Sequence, residues 1–146
     1  MIYLDTSAFI RGVMSDAPDH TAMARVLAAP CSVLASSELL WLEADRTVVR
    51  LTAEGQLPTG LPATVAQALL GVVQLRLDTA IIDAARRIPQ VVKSRDAIHI
   101  ASAEVLGEDL EAVITYDKTL TNALAQRGIR ALTAAQLAAD PRSHRS

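Results

Sequence analysis

Short apolar runs recur along this chain, each followed by a polar break and then by a stretch with helical spacing. That alternation restricts the fold more than any other feature. The runs cover residues 2–5, 31–35, 72–77 and 112–115, with 129–132 a shorter fifth. Between them, apolar spacing predicts helices through Phe9 and Val13, over 19–29, from Ser36 or Ser37 as N-cap to Glu54, and over 64–70, 80–88, 96–106 and 118–126. The stops are in place: Pro30, Gly55, Pro89, Gly107 and Gly128 each follow a helical stretch. Asp78 or Thr79, and Ser94, are the expected caps of two later helices. Strands alternating with helices require βαβ crossovers, so the expected fold is α/β with a mainly parallel sheet covered on both faces.

At 146 residues the chain has the length of one domain, and a hydrophobic fraction of 51% is ample for a single core. Gly55, Pro58, Gly60 and Pro62 mark a loop, not a linker, and there is no internal repeat. The expected organisation is one domain over 1–139 and a polar, disordered tail over 140–146.

Several functions are made improbable by what is missing. Aromatic residues make up 3% of the chain, too few for a surface that reads single strands by stacking. Cys31 is the sole cysteine, which excludes an intramolecular disulfide and a cysteine-based zinc site. The three histidines are not clustered, and neither GxxxxGK[ST] nor GxGxxG occurs. Met1 leads directly into the first apolar run and no run is long enough to cross a membrane, so a soluble cytoplasmic protein without a membrane partner is expected.

The chemistry lies in the acids. Asp5 and Asp117 follow apolar runs, Asp96 falls in the first turn of a helix, and Glu43 sits in an otherwise apolar helical stretch. In an open parallel sheet, residues just beyond the strands' carboxyl ends meet at one edge. Carboxylates brought together among apolar segments are costly unless a cation gathers them, and an all-oxygen donor set suits Mg²⁺ or Mn²⁺. Each acid also has an ordinary role. Asp5 can end a turn, Asp96 can complement a helix dipole, Asp117 can cap a helix, and Glu43 can pair with Arg46 or Arg50. Along the helix at about 100° per residue, Leu40, Ala44, Val48 and Leu51 form the buried ridge. Glu43 borders that ridge, whereas Glu38 falls on the far side as a solvated first-turn acid, which favours Glu43 as the fourth ligand. Thr6, Ser7 and Thr115 flank the acids and can orient carboxylates or a water; His99 is expected to pack or to support a ligand. The net charge of −2 becomes positive once the four acids are neutralised. Basic clusters at Arg46/Arg50, Arg86/Arg87 and Lys93/Arg95 are then compatible with a phosphate-binding rim, with Arg46, Arg50 and Arg95 unranked as anchors.

At these residues the chain resembles the PIN-domain ribonucleases, specifically the VapC toxins of bacterial toxin–antitoxin pairs. The resemblance runs from residue 2 to about 130 and rests on ordered motifs. These are Ile2-Tyr3-Leu4-Asp5-Thr6-Ser7-Ala8, Ser36-Ser37 followed by Glu43 and Arg46, residues 95–103 around Asp96, and Val113-Ile114-Thr115-Tyr116-Asp117. It implies a three-layer α/β/α sandwich and metal ligation by Asp5, Glu43, Asp96 and Asp117, with support from Thr115. It also implies Mg²⁺-dependent hydrolysis of RNA, a VapB-type antitoxin partner and a homodimer. Lys118 and Thr119 stand where some members carry a further acid, so a fifth carboxylate and a firmly held second metal are not expected. Two alternatives remain. One is a PIN-like module that binds without cleaving. The other is a metal-dependent phosphatase, disfavoured because Asp5 is followed by Thr6 and Ser7 with no second acid two residues on.

Overall fold

The structure, a computed structural model, describes residues 1–28 and 32–144. The expected end of the second helix at Ala29 and Pro30, the strand start at Cys31, and residues 145–146 lie outside the described residues.

Five strands form one sheet: β1 (Ile2–Leu4), β2 (Leu34–Ser37), β3 (Val72–Leu75), β4 (Ala112–Ile114) and β5 (Ala131–Leu132). Their order is β3-β2-β1-β4-β5 and every pairing is parallel. β1 is central. The chain moves outward through β2 and β3, then returns to place β4 on the other side of β1, with Ile2 opposite Ala112 and Leu4 opposite Ile114. The reversal of direction falls between β1 and β4, the place where parallel sheets open a crevice beyond their carboxyl ends.

The sheet's two faces carry separate cores, and strict alternation along the strands assigns them. Ile2, Leu4 and Ile114 pack with Phe9 and Val13 of α1 (Thr6–Val13), Met23 of α2 (His20–Ala28), Leu40 and Ala44 of α3 (Leu39–Ala53), and Leu61 and Val65 of α4 (Leu61–Leu69). Tyr3 and Val113, pointing the other way, pack with Ile100 of α6 (Ser94–Glu104) and Leu120 and Leu124 of α7 (Lys118–Gln126). α5 (Thr79–Arg86) and α8 (Ala134–Ala138) complete the helical layers. The result is the three-layer α/β/α sandwich with a mainly parallel sheet anticipated from sequence. The ridge on α3 is buried as expected at Leu40, Ala44 and Leu51, with Val48 partly covered.

Several boundaries differ, each for a local reason. Ser36 and Ser37 belong to β2: Ser36 Oγ donates to the Leu4 carbonyl at 2.6 Å, and Ser37 Oγ accepts the Leu39 amide, so α3 starts only at Leu39. α4 begins at Leu61, before the expected Thr64, because Pro62 is tolerated in a first helical turn. Lys93, not Ser94, precedes α6, while Asp78 caps α5 by accepting the Ile81 amide. α8 is held by a capping box in which Thr133 accepts the Gln136 amide and the Gln136 side chain accepts the Thr133 amide. The segment beginning at Asp140, expected to lack fixed structure, contains a 3-10 turn over Pro141–His144, and Asp140 is buried and ion-paired with Arg130.

Candidate active site

Asp5 ends β1 and is the N-cap of α1, so the ordinary capping role and a place at the sheet's edge coincide in one residue. Its Oδ1 accepts from the Ala8 amide at 3.0 Å and from Ser7 Oγ at 2.6 Å, and its Oδ2 accepts from Thr115 Oγ1 at 2.6 Å. The Thr115 hydroxyl oxygen in turn accepts the Asp117 amide, and Ser7 Oγ accepts the Tyr116 amide. This small ring ties the end of β4 to the start of α1 and fixes the Asp5 carboxylate. Asp117 is also an N-cap, its Oδ1 accepting the Leu120 amide at 2.9 Å. With each carboxylate oxygen able to accept twice, these bonds fill Asp5 Oδ1 and leave acceptor capacity on Asp5 Oδ2 and on Asp117.

Asp96 lies one turn into α6 and is 5% exposed. Burial raises its pKa, the nearby Asp117 and Asp5 raise it further, and Arg95 and His99 only partly offset this. Like charges have thus been brought together in a poorly solvated place, a cost that a divalent cation would relieve.

Glu43 is half-buried on α3 and faces the same space. His99 Nε2 stands 3.3 Å from its Oε1, and an Arg95 Nη lies 3.8 Å from its Oε2. Burial would raise its pKa, but the hydrogen bond and charge of His99, then Arg95 and Thr6, outweigh it and hold the carboxyl below its usual range. Glu38 turns elsewhere. Its Oε2 accepts the Leu77 amide at 2.9 Å, so it ties α3 to the chain after β3 and is not the solvated first-turn acid expected.

His99 is buried between Tyr3 and Glu43. The Tyr3 hydroxyl oxygen accepts the Ser37 amide at 3.2 Å and stands 2.7 Å from His99 Nδ1. Burial drives the Tyr3 pKa upward, so the phenol keeps its proton. An ionised carboxylate can only accept, so Nε2 carries a hydrogen aimed at Glu43 Oε1, with Thr6 Oγ1 at 3.4 Å. A supporting place for His99 and for Thr6 is what the geometry gives.

All four acids line one open cleft of about 410 Å³, together with Thr6, Ser7, Arg11, Thr47, Arg95 and His99. Among the described residues, no three His, Cys, Asp or Glu side chains stand close enough to hold a metal ion as they are. The donor set still suits a hard divalent cation in kind, being carboxylate oxygens with mutual repulsion and His99's nitrogens already engaged. Closing on an ion requires Asp117 or Glu43 to turn toward the fixed Asp5 carboxylate.

Arg11 is the cleft residue that reading the acids alone overlooks. Its guanidinium lies 4.2 Å above the Tyr116 ring and donates to the Pro18 carbonyl at 3.1 Å. Tyr116 is itself fixed, donating to Asp19 Oδ2 at 2.5 Å. The available signal was spacing: Arg11 is one helical turn beyond Ser7. Of the three arginines left unranked, Arg95 lines the cleft, Arg50 is spent on Glu54, and Arg46 is exposed away from it.

A five-stranded parallel sandwich with acids gathered at its β1/β4 edge defines a class, and residues 2–123 match the PIN domain family. The chain belongs to that family. At 34% identity over 133 residues, covering 88% of this chain and 93% of the relative, it is similar to Ribonuclease VapC47 of Mycobacterium tuberculosis. It is 30% identical to Ribonuclease VapC46 of the same species over the same coverage. Similar folds occur in M. tuberculosis VapC20, a Sarcin-Ricin loop cleaving toxin (TM-score 0.61, 18% identity, 84% of this chain and 95% of that one). They occur also in a toxin–antitoxin complex from Klebsiella pneumoniae (TM-score 0.61, 22% identity, 92% and 98%). A third is VapBC2 from Rickettsia felis bound to a promoter DNA fragment (TM-score 0.63, 12% identity, 91% and 98%).

Proposed function

We propose that this protein is a VapC-type endoribonuclease that hydrolyses RNA phosphodiester bonds with the aid of a divalent cation, Mg²⁺ or Mn²⁺, and is restrained by a VapB-type antitoxin. The observation that carries the reading is the meeting of Asp5, Glu43, Asp96 and Asp117 on one cleft from four separate segments of the chain. Kinship with named VapC ribonucleases over most of the chain supports the reaction class.

Asp5, Asp96 and Asp117 would hold the ion, with Glu43 beside them. Such an ion, when bound, supplies a water of lowered pKa and offsets charge growing on the phosphoryl oxygens. Glu43, kept ionised and aimed by the His99 Nε2 hydrogen, orients the attacking water or completes the ligand set. Thr115 and Ser7 hold the Asp5 carboxylate against rotation. Arg11, pre-set on Tyr116, is placed to take a backbone phosphate bidentately. Side chains locked in this way need little reordering when substrate arrives.

For partners, α3 leaves Leu42 and Val49 exposed two turns apart on one face. A groove of about 840 Å³, lined by Gly12, Val13, Leu27, Ala63 and Ala68 among others, runs between the early helices and α4. Both offer apolar surface to an antitoxin or to a second copy in a homodimer. None of the helices described is long and apolar enough to cross a membrane.

The test is RNA cleavage by the purified protein. Asp5→Asn should abolish Mg²⁺-dependent cleavage while the circular dichroism spectrum is retained; undiminished cleavage in EDTA would contradict the proposal.

A further inference from the structure

Arg95 stands out from the cleft's other cation. Arg11 is held by an aromatic face and a carbonyl, and has no carboxylate partner among the described residues. Arg95, the second residue of α6, bridges two of the candidate ligands: its Nε is 3.6 Å from Asp96 Oδ1 and an Nη is 3.8 Å from Glu43 Oε2. Both separations exceed hydrogen-bond length, and the side chain is 52% exposed. The contact is Coulombic and loose, so releasing it costs little. It nonetheless puts a positive charge between α3 and α6, where a dication would have to bring Glu43 and Asp96 together. A guanidinium and a dication cannot share that position, since their like charges would repel in a partly desolvated cleft.

We propose that Arg95 and the divalent cation are alternative counterions for the Glu43–Asp96 pair, and that Arg95, once displaced, swings toward the cleft mouth to hold a substrate phosphate. The inference rests on the metal-dependent reading above and deepens it. Arg95 then has opposite effects on two binding events. It competes with the metal, and it recruits RNA. A residue serving only to stabilise α6 would show neither effect.

The experiment titrates MnCl₂ into wild type, Arg95→Gln and Arg95→Lys by calorimetry. In parallel, fluorescence anisotropy follows a labelled mixed-sequence single-stranded RNA in Ca²⁺, with thermal melting to verify folding. Arg95→Gln should bind Mn²⁺ about fivefold more tightly and the RNA roughly fivefold more weakly. Arg95→Lys, which keeps the charge but loses the planar fork, should match wild type for Mn²⁺ and be intermediate for RNA. Unchanged or weaker Mn²⁺ binding by Arg95→Gln, or unchanged RNA binding, overturns the inference. Glu43→Gln and Asp96→Asn separate the two levels. If both weaken Mn²⁺ binding and only the Arg95 result fails, the metal site stands and this inference falls. If wild type binds no Mn²⁺, or neither acid variant weakens it, both fall.

Discussion

Asp96 and Asp140 are nearly equally hidden, at 5% and 8% exposure, yet they sit in opposite electrostatic surroundings. Asp140, beyond α8, is ion-paired with Arg130 and lies 3.5 Å from Arg142, and its Oδ1 also accepts the Arg142 amide at 2.9 Å. Asp96, at the sheet's carboxyl edge, faces Asp117 and Asp5 and has a single loosely held arginine. The first arrangement is what an acid used for structure needs, because a buried charge is tolerable when paired. The second leaves a charge under-compensated inside the fold, which stability alone does not explain. The contrast separates acids that hold the protein together from acids kept ready for a ligand.

The sharpest way to break that contrast is Asp96→Asn. Cleavage should fall roughly a thousandfold, while the melting temperature at neutral pH should rise. The sign follows from linkage: the carboxyl's pKa is raised in the folded state by burial and then by Asp117 and Asp5, so ionisation of Asp96 opposes folding above that pKa. The penalty disappears as pH falls toward the ordinary Asp range, so the difference in stability between variant and wild type should shrink there. A variant that keeps its activity, or melts lower at neutral pH, would erase the distinction.

Asp140→Asn should do the reverse. Breaking this buried pair should cost about 3 kcal/mol in denaturant unfolding, with cleavage per folded molecule unchanged. Tyr3→Phe falls between. It removes the hydroxyl that bonds His99 Nδ1 and leaves the Ser37 amide unsatisfied, for a loss of about 2 kcal/mol, and it frees the imidazole that aims Glu43, so activity falls as well. The smallest effect belongs to Glu38→Gln, which keeps an oxygen acceptor for the Leu77 amide. It should cost no more than about 1 kcal/mol and leave cleavage intact, whereas Glu43→Gln should impair cleavage severely.

The strand–helix alternation was legible because buried parallel strands and amphipathic helices leave strong periodic signals. α7 matches its expected span, 118–126, since a capping acid and a glycine bracket it. Ser36 and Ser37 misled because serine favours caps in isolation, whereas here a hydrogen bond to the Leu4 carbonyl draws Ser36 into the sheet. The capping box at Thr133 and Gln136 was readable from spacing but lies outside the apolar runs on which the reading relied. In the cleft, the four acids were visible as residues against apolar segments. Glu38's tie to Leu77, the Ser37–Tyr3–His99–Glu43 chain and the seating of Arg11 on Tyr116 were not, because each joins elements far apart in sequence. Periodicity reports what an element buries; it does not report which buried groups meet.

The most direct measurement is the anomalous difference map of a crystal soaked in MnCl₂. A peak in the cleft contacted by the Asp5 and Asp96 carboxylates, with Asp117 or Glu43 turned inward to meet it, is the outcome expected. Saturating Mn²⁺ with no peak there, while the four carboxylates keep their separate partners, would contradict the claim that they are gathered for a cation.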